Sequence, residues 1–162
     1  MLTEITKEVQ KALPYEFEGG WVAVQNAVLT IYTLHPDFKA TTLLVYAYLL
    51  KNYNIGRRYS WPSFDAMEID LNVSRGTISS STQTLTELGM INVFKRGSRG
   101  SHAYTFNALI DDEVEFITRF PNAVPNYEKK QAKIQQIADK KAEFDRLIPV
   151  QVQKTDSSKS NF

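Results

Sequence analysis

The residues best suited to chemistry in this chain are suited to recognition. Ser74, Arg75, Gly76, Thr77, Ser79, Ser80, Gln83 and Thr84 fall within eleven positions of a stretch with helical spacing. Arginine can bond a guanine edge through two hydrogen bonds, glutamine can read adenine, and serine reads either or takes a phosphate. A helix built only for solubility would use Glu and Lys, which are better helix formers than the run Ser79-Ser80-Ser81-Thr82. Small side chains also permit close approach to a groove.

A second group, Lys95, Arg96, Ser98, Arg99 and His102, lies in a glycine-containing segment without an acidic residue. Such cations neutralise phosphates, and an arginine on a flexible tip can enter a minor groove. A third group, Arg57, Arg58 and Ser63, is placed for contact with a nucleic-acid backbone, with Tyr59 and Trp61 beside it. Either arginine would equally suit a surface ion pair.

Reaction chemistry has no comparable support. His35 and His102 are far apart, and neither has a metal-ligand partner at useful spacing. No zinc-protease, nucleophile-elbow or dinucleotide glycine pattern occurs, and Gly97-Ser98-Arg99-Gly100-Ser101 lacks the Gly-Lys-Ser/Thr ending of a P-loop. Asp111-Asp112 reads as helix capping. The expectation is therefore a non-enzyme with no catalytic residue, metal, cofactor or small-molecule ligand.

The elements that must position these groups are legible in the stretch Trp61–Asn107. Ser63 is the N-cap of a helix with Phe64, Met67, Ile69 and Leu71 as its apolar set. Asn72 suits the left-handed residue that ends it, Val73 plugs the corner, and Ser74 caps a second helix running to about Leu88. Ile78, Ser81 or Thr82, Leu85 and Leu88 face inward, and Gly89 stops the helix. Two short strands follow, with Ile91, Val93, Tyr104 and Phe106 inward. A plain helical hairpin would also fit the turn; the strand-loop-strand directly after it argues for a winged helix-turn-helix.

The rest of the chain serves that unit. Residues 1–18 suit an N-terminal arm or short helix, and Trp21 to Gln25 alternate as a strand, followed by a turn or short helix near 27–32. Asp37 is the expected cap of a central helix over 38–53, which covers most of its circumference with Leu43, Leu44, Tyr46, Ala47, Leu49 and Leu50. Asn54-Ile55-Gly56 should stop it. A short helix over 112–119 has acids at its N-terminus. Pro121 and Pro125 bracket a linker before a helix over 126–147. In that helix Ile134, Ile137, Ala138, Ala142 and Leu147 form a seam for the domain or for a second copy. Residues 150–162 are polar and expected to be disordered.

Composition is compatible with this plan. The chain has 162 residues, 43% of them apolar, enough for a core without staples. It has no cysteine, which excludes disulfides and thiolate sites and fits a reducing cytosol. No signal peptide or membrane span is evident, so a bacterial cytoplasmic location is expected. A formal net charge of +1 is neutral on nucleic acid; the distribution of charge has to decide.

The region from about Trp21 to Asn107 resembles the winged-helix domains of plasmid and phage replication initiators from Gram-positive bacteria, and of related bacterial regulators. The residues carrying the likeness are Trp21-Val22-Ala23-Val24 before Asn26-Ala27-Val28-Leu29, Leu43–Leu49, Trp61-Pro62-Ser63, and Leu71–Ile78 continued by Leu85–Ile91. The resemblance implies that Ser74, Arg75, Thr77, Ser79, Ser80 and Gln83 read the major groove. It also implies that Lys95 to Arg99 touch backbone or minor groove. Such helices often carry several basic residues, and this one has Arg75 alone, so a second subunit on a second half-site is implied.

The expected fold is mainly α with a small β-wing, α+β in class. The expected organisation is an arm (1–18), a winged-helix domain (19–110), a C-terminal helical extension (111–149) used for dimerisation, and a tail (150–162). The expected function is sequence-specific binding of double-stranded DNA by a homodimeric transcriptional regulator of a plasmid or other mobile element. The alternatives are a replication initiator or primosome protein at an origin, and a winged-helix protein–protein adaptor.

Overall fold

The computed structural model describes residues 13–16, 18–97 and 101–148. Of the expected arm over 1–18, residues 1–12 and 17 lie outside the described residues, as do the tail over 150–162 and Ser98 and Arg99; the described residues 13–16 and 18 form no helix. The described chain is mainly helical with one small antiparallel sheet, an α+β composition. Its helices are α1 (Asn26–Thr30), α2 (Ala40–Lys51), α3 (Phe64–Leu71), α4 (Arg75–Glu87), α5 (Glu113–Arg119) and α6 (Val124–Leu147). Strands β1 (Ile91–Arg96) and β2 (Ser101–Phe106) pair from Ile91↔Phe106 to Arg96↔Ser101. No helix among the described residues is long and apolar enough to cross a membrane.

The joint between α3 and α4 follows the local chemistry of its residues. Ser63 Oγ accepts from the Ala66 N–H at 3.0 Å, and Asn72 ends α3 at φ 52° and ψ 45°. Ser74 Oγ accepts from the Thr77 N–H at 3.2 Å to start α4. At its other end the Met90 N–H donates to the Leu85 carbonyl and the Gly89 N–H to Thr86, with Gly89 at φ 68°. This is the left-handed glycine stop, and it turns the chain directly into β1.

One core unites these elements. Val28 and Tyr32 from the N-terminal segment, Val45 and Leu49 from α2, Met67, Ile78 and Leu85, then Ile91 and Tyr104, are all buried in it. Ile110 and Phe116 belong to the same cluster, and the Ile110 N–H donates to the Tyr32 hydroxyl at 3.0 Å. Packing thus carries α5 into the body, past the boundary expected at residue 110. Ser81 and Thr82 are buried on the inner face of α4, and α4 packs on α2.

Several local expectations are corrected. Gly20–Gln25 forms no strand; it finds no partner strand, and Gln25 is the extended N-cap of α1. Helix α2 begins at Ala40, not after Asp37, because Thr42 Oγ1 accepts from the Lys39 N–H at 3.2 Å while the Asp37 N–H is taken by His35 Nδ1. It stops at Asn52, whose side chain donates to the Tyr48 carbonyl, and the left-handed residue of the following loop is Arg58. Leu44 and Ile69 are exposed, since the core lies against only one side of their helices, while Val93, on the same face as buried Ile91, is part-exposed because it lines the open cleft beside α4. The segment from Pro121 is a short 3-10 turn (Pro121–Ala123) running straight into α6 with Pro125 in the first turn, where a proline costs no hydrogen bond.

Helix α6 is fixed at its root and free thereafter. Asn126 Nδ2 donates to the Leu34 carbonyl at 2.9 Å, and Lys130 reaches the Thr30 carbonyl and the Glu113 carboxylate. Every described residue from Gln131 onward is exposed, so the Ile134–Leu147 seam does not pack on the body.

Candidate nucleic-acid interface

The outward residues of α4 divide between two sides. Ser79 and Gln83 line a cleft of about 320 Å³ between α4 and the β1–β2 hairpin, closed by Phe64, Val93, His102 and Tyr104. Ser80 and Thr84 turn instead toward the start of α2, where they line a shallow cleft of about 170 Å³ with Asp37 and Lys39. The set read as one face from the sequence is therefore two half-faces. Gly76 is exposed, and a Cβ there would meet only Ser74 Oγ at 3.9 Å.

Most hydroxyls of α4 are already bonded locally. Ser80 donates to the Thr77 carbonyl at 3.1 Å and Thr84 to the Ser80 carbonyl at 3.1 Å. Thr77 shares a hydrogen bond with the Ser74 hydroxyl and is half-buried. Gln83 Nε2 donates to Glu87 Oε1 at 2.9 Å. These are weak, exposed contacts that a ligand can replace at little cost. Ser74 and Ser63 act first as caps of α4 and α3.

Arg75 is the residue whose setting the sequence did not foretell. Its backbone N–H donates to Glu68 Oε1 at 3.0 Å, its Nε to Glu68 Oε2 at 3.3 Å, and its outer nitrogen pairs with Asp65. The guanidinium also stacks over the Phe64 ring at 5.4 Å. It borders a cleft of about 400 Å³ that adjoins the hairpin cleft and shares Phe64, His102 and Tyr104 with it. Phe64 and His102 meet edge-on at 5.8 Å between the two. Burial pushes the Tyr104 phenol at this junction up to about 12.

The chain matches no protein-family model, no curated protein and no solved structure. What the site can do must come from its own geometry.

The remaining predicted residues gather at the hairpin and the loop before α3. Lys95 is exposed opposite His102 in the register. Arg96 stacks over Tyr59 at 5.4 Å and over Trp61 at 5.1 Å, and Arg57 stacks over the same Trp61 at 5.3 Å. Arg58 is exposed at φ 61°, held by its N–H to the Asn54 carbonyl at 2.7 Å. The contributor the sequence reading missed is Phe94, whose ring meets Tyr59 at 5.7 Å. Its signal was the pair Phe94 and Arg96, two residues apart and so on one face of a strand.

Proposed function

We propose that this chain is a sequence-specific double-stranded DNA-binding protein of the winged helix-turn-helix kind, acting as a transcriptional regulator of a plasmid or other mobile element. The observation that carries the reading is the joint Asn72-Val73-Ser74 between two capped helices, followed at once by a hairpin that leaves a cleft beside the second helix. In this reading Ser79 and Gln83 meet base edges, and Ser74, Gly76 and the capped start of α4 approach a phosphate. Lys95, Arg96, Arg57 and Arg58 supply backbone charge. With one arginine on α4, affinity is shared between two subunits, paired through the exposed Ile134, Ile137 and Phe144 of α6.

The test is selection from a random duplex library followed by anisotropy titration at several salt concentrations. An enriched motif, bound at least a hundredfold above bulk DNA, supports the reading, and Gln83→Ala should relax one position of it. Failure to enrich any motif would sink it.

A replication initiator or primosome protein is the second reading, favoured by the length of α6 that is exposed. A helix projecting about 25 Å beyond its last contact can engage another protein as well as a second copy. Enrichment of the source replicon's origin over its promoters would favour it.

A further inference from the structure

We propose that the outer face of the hairpin sheet is a stacking platform for unpaired bases of a single-stranded nucleic acid, touching the Arg75-bordered cleft only at Trp61. Ser60 bridges to Tyr104 through two backbone hydrogen bonds of 2.9 and 2.8 Å, which fasten the loop before α3 along the free edge of β2 at this one residue. Ser60 is buried, so its neighbours Tyr59 and Trp61 project to the opposite side, where Phe94 and Arg96 of β1 also lie. The rings are contiguous: Tyr59–Trp61 centroids are 5.3 Å apart and Tyr59–Phe94 5.7 Å. Trp61 is 36% exposed and Phe94 40%.

Charge identifies the occupant. Residues 52–64, 88–97 and 101–110, which build this sheet and its loops, contain no Asp or Glu, and they bring Arg57 and Arg96 onto these rings. Two guanidinium groups converge on the Trp61 ring, and among the described residues neither is in an ion pair. In a chain of net charge +1 this is a concentrated cationic patch. Like charges brought together over one ring, without a carboxylate, complement a polyanion. Exposed rings among them complement base faces, which a duplex hides and a single strand offers.

Trp61 reports its own contact, because the chain has two tryptophans and Trp21→Phe leaves it alone. In that background, oligothymidylate of about fifteen nucleotides should quench the fluorescence. Phe94→Ala should weaken binding about tenfold, as one lost stacking partner does, with Phe94→Leu separating ring from bulk. Far-UV circular dichroism checks that each variant folds. Both variants lack the ring and should weaken binding alike. Unquenched Trp61, parent-level affinity in Phe94→Ala, or affinity restored to the parent level in Phe94→Leu overturns the proposal. Duplex binding followed in parallel keeps the two readings apart. Duplex bound with Trp61 unquenched overturns this proposal alone, whereas oligothymidylate bound with no duplex motif sinks the regulator alone.

Discussion

Arg75 and Glu68 are joined twice: the backbone N–H and the guanidinium Nε of Arg75 both reach the Glu68 carboxylate, at 3.0 and 3.3 Å. The single cation of α4 is thus shared between capping contacts to α3 and any outside partner. Asp65 holds it from the other side. In the double variant Asp65→Asn, Glu68→Gln, Arg75 is released, and affinity for a selected duplex should rise several-fold. The salt dependence should steepen by about one phosphate contact. The exposed pairs contribute little to the fold, so unfolding free energy should fall by no more than about 1 kcal/mol. An unchanged salt slope would remove Arg75 from the interface.

Gly76 separates stability from binding. In the first turn of α4 a glycine is less favourable than alanine by up to about 1 kcal/mol, and nothing in the fold lies close enough to exclude a Cβ. Gly76→Ala should therefore raise the melting temperature. If a phosphate or sugar approaches this backbone, the same change should weaken duplex binding several-fold. Stabilisation with undiminished affinity would show that no close approach occurs there.

Ser60 offers a second stabilising change. Its hydroxyl is the buried side-chain oxygen without a hydrogen-bond partner among the described residues. An unpaired buried hydroxyl costs about 1–3 kcal/mol, so Ser60→Ala should be neutral or stabilising in urea unfolding. A loss above about 1 kcal/mol would mean the hydroxyl has a partner in solution.

Alkaline pH should loosen the sheet through Tyr104. Burial raises its phenol from 10.0 to about 12. Above pH 10 the unfolded chain loses this proton while the folded chain keeps it, so stability falls as pH rises from 10 to 12. The group's contribution, about 2–3 kcal/mol, is fully present below pH 10. Tyr32, Tyr46 and Tyr48 shift in the same direction, each chiefly by burial, so Tyr104→Phe should reduce the alkaline fall without abolishing it.

The stripe on α6 should govern oligomeric state and leave the core untouched. Ile134→Asp with Ile137→Asp should convert a dimer to a monomer by sedimentation at micromolar concentration, with the melting of the body preserved. A parent chain that sediments as a monomer would leave α6 without this role.

What was legible in the sequence was whatever a few neighbouring residues settle among themselves. Ser63 and Ser74 cap their helices through N–H groups three residues on, Asn72 takes the left-handed region, and Gly89 closes onto Leu85 and Thr86; no distant partner is required. The spacing of Ile78, Leu85 and Leu88 likewise chose the buried side of α4. Other features depended on contacts distant in the chain. Trp21–Gln25 alternates like a strand but meets no edge, whereas Ser60, with weaker strand chemistry, finds Tyr104 forty-four residues away and pairs with it. Arg75 looked free because Asp65 and Glu68 lie on the previous helix, across a turn whose angle only the packed core sets. The joining of Arg57, Tyr59, Trp61, Phe94 and Arg96 was decided in the same way. Each side chain is ordinary in its own segment, and the pairing of β1 with β2 and of Ser60 with Tyr104 brings them onto one surface.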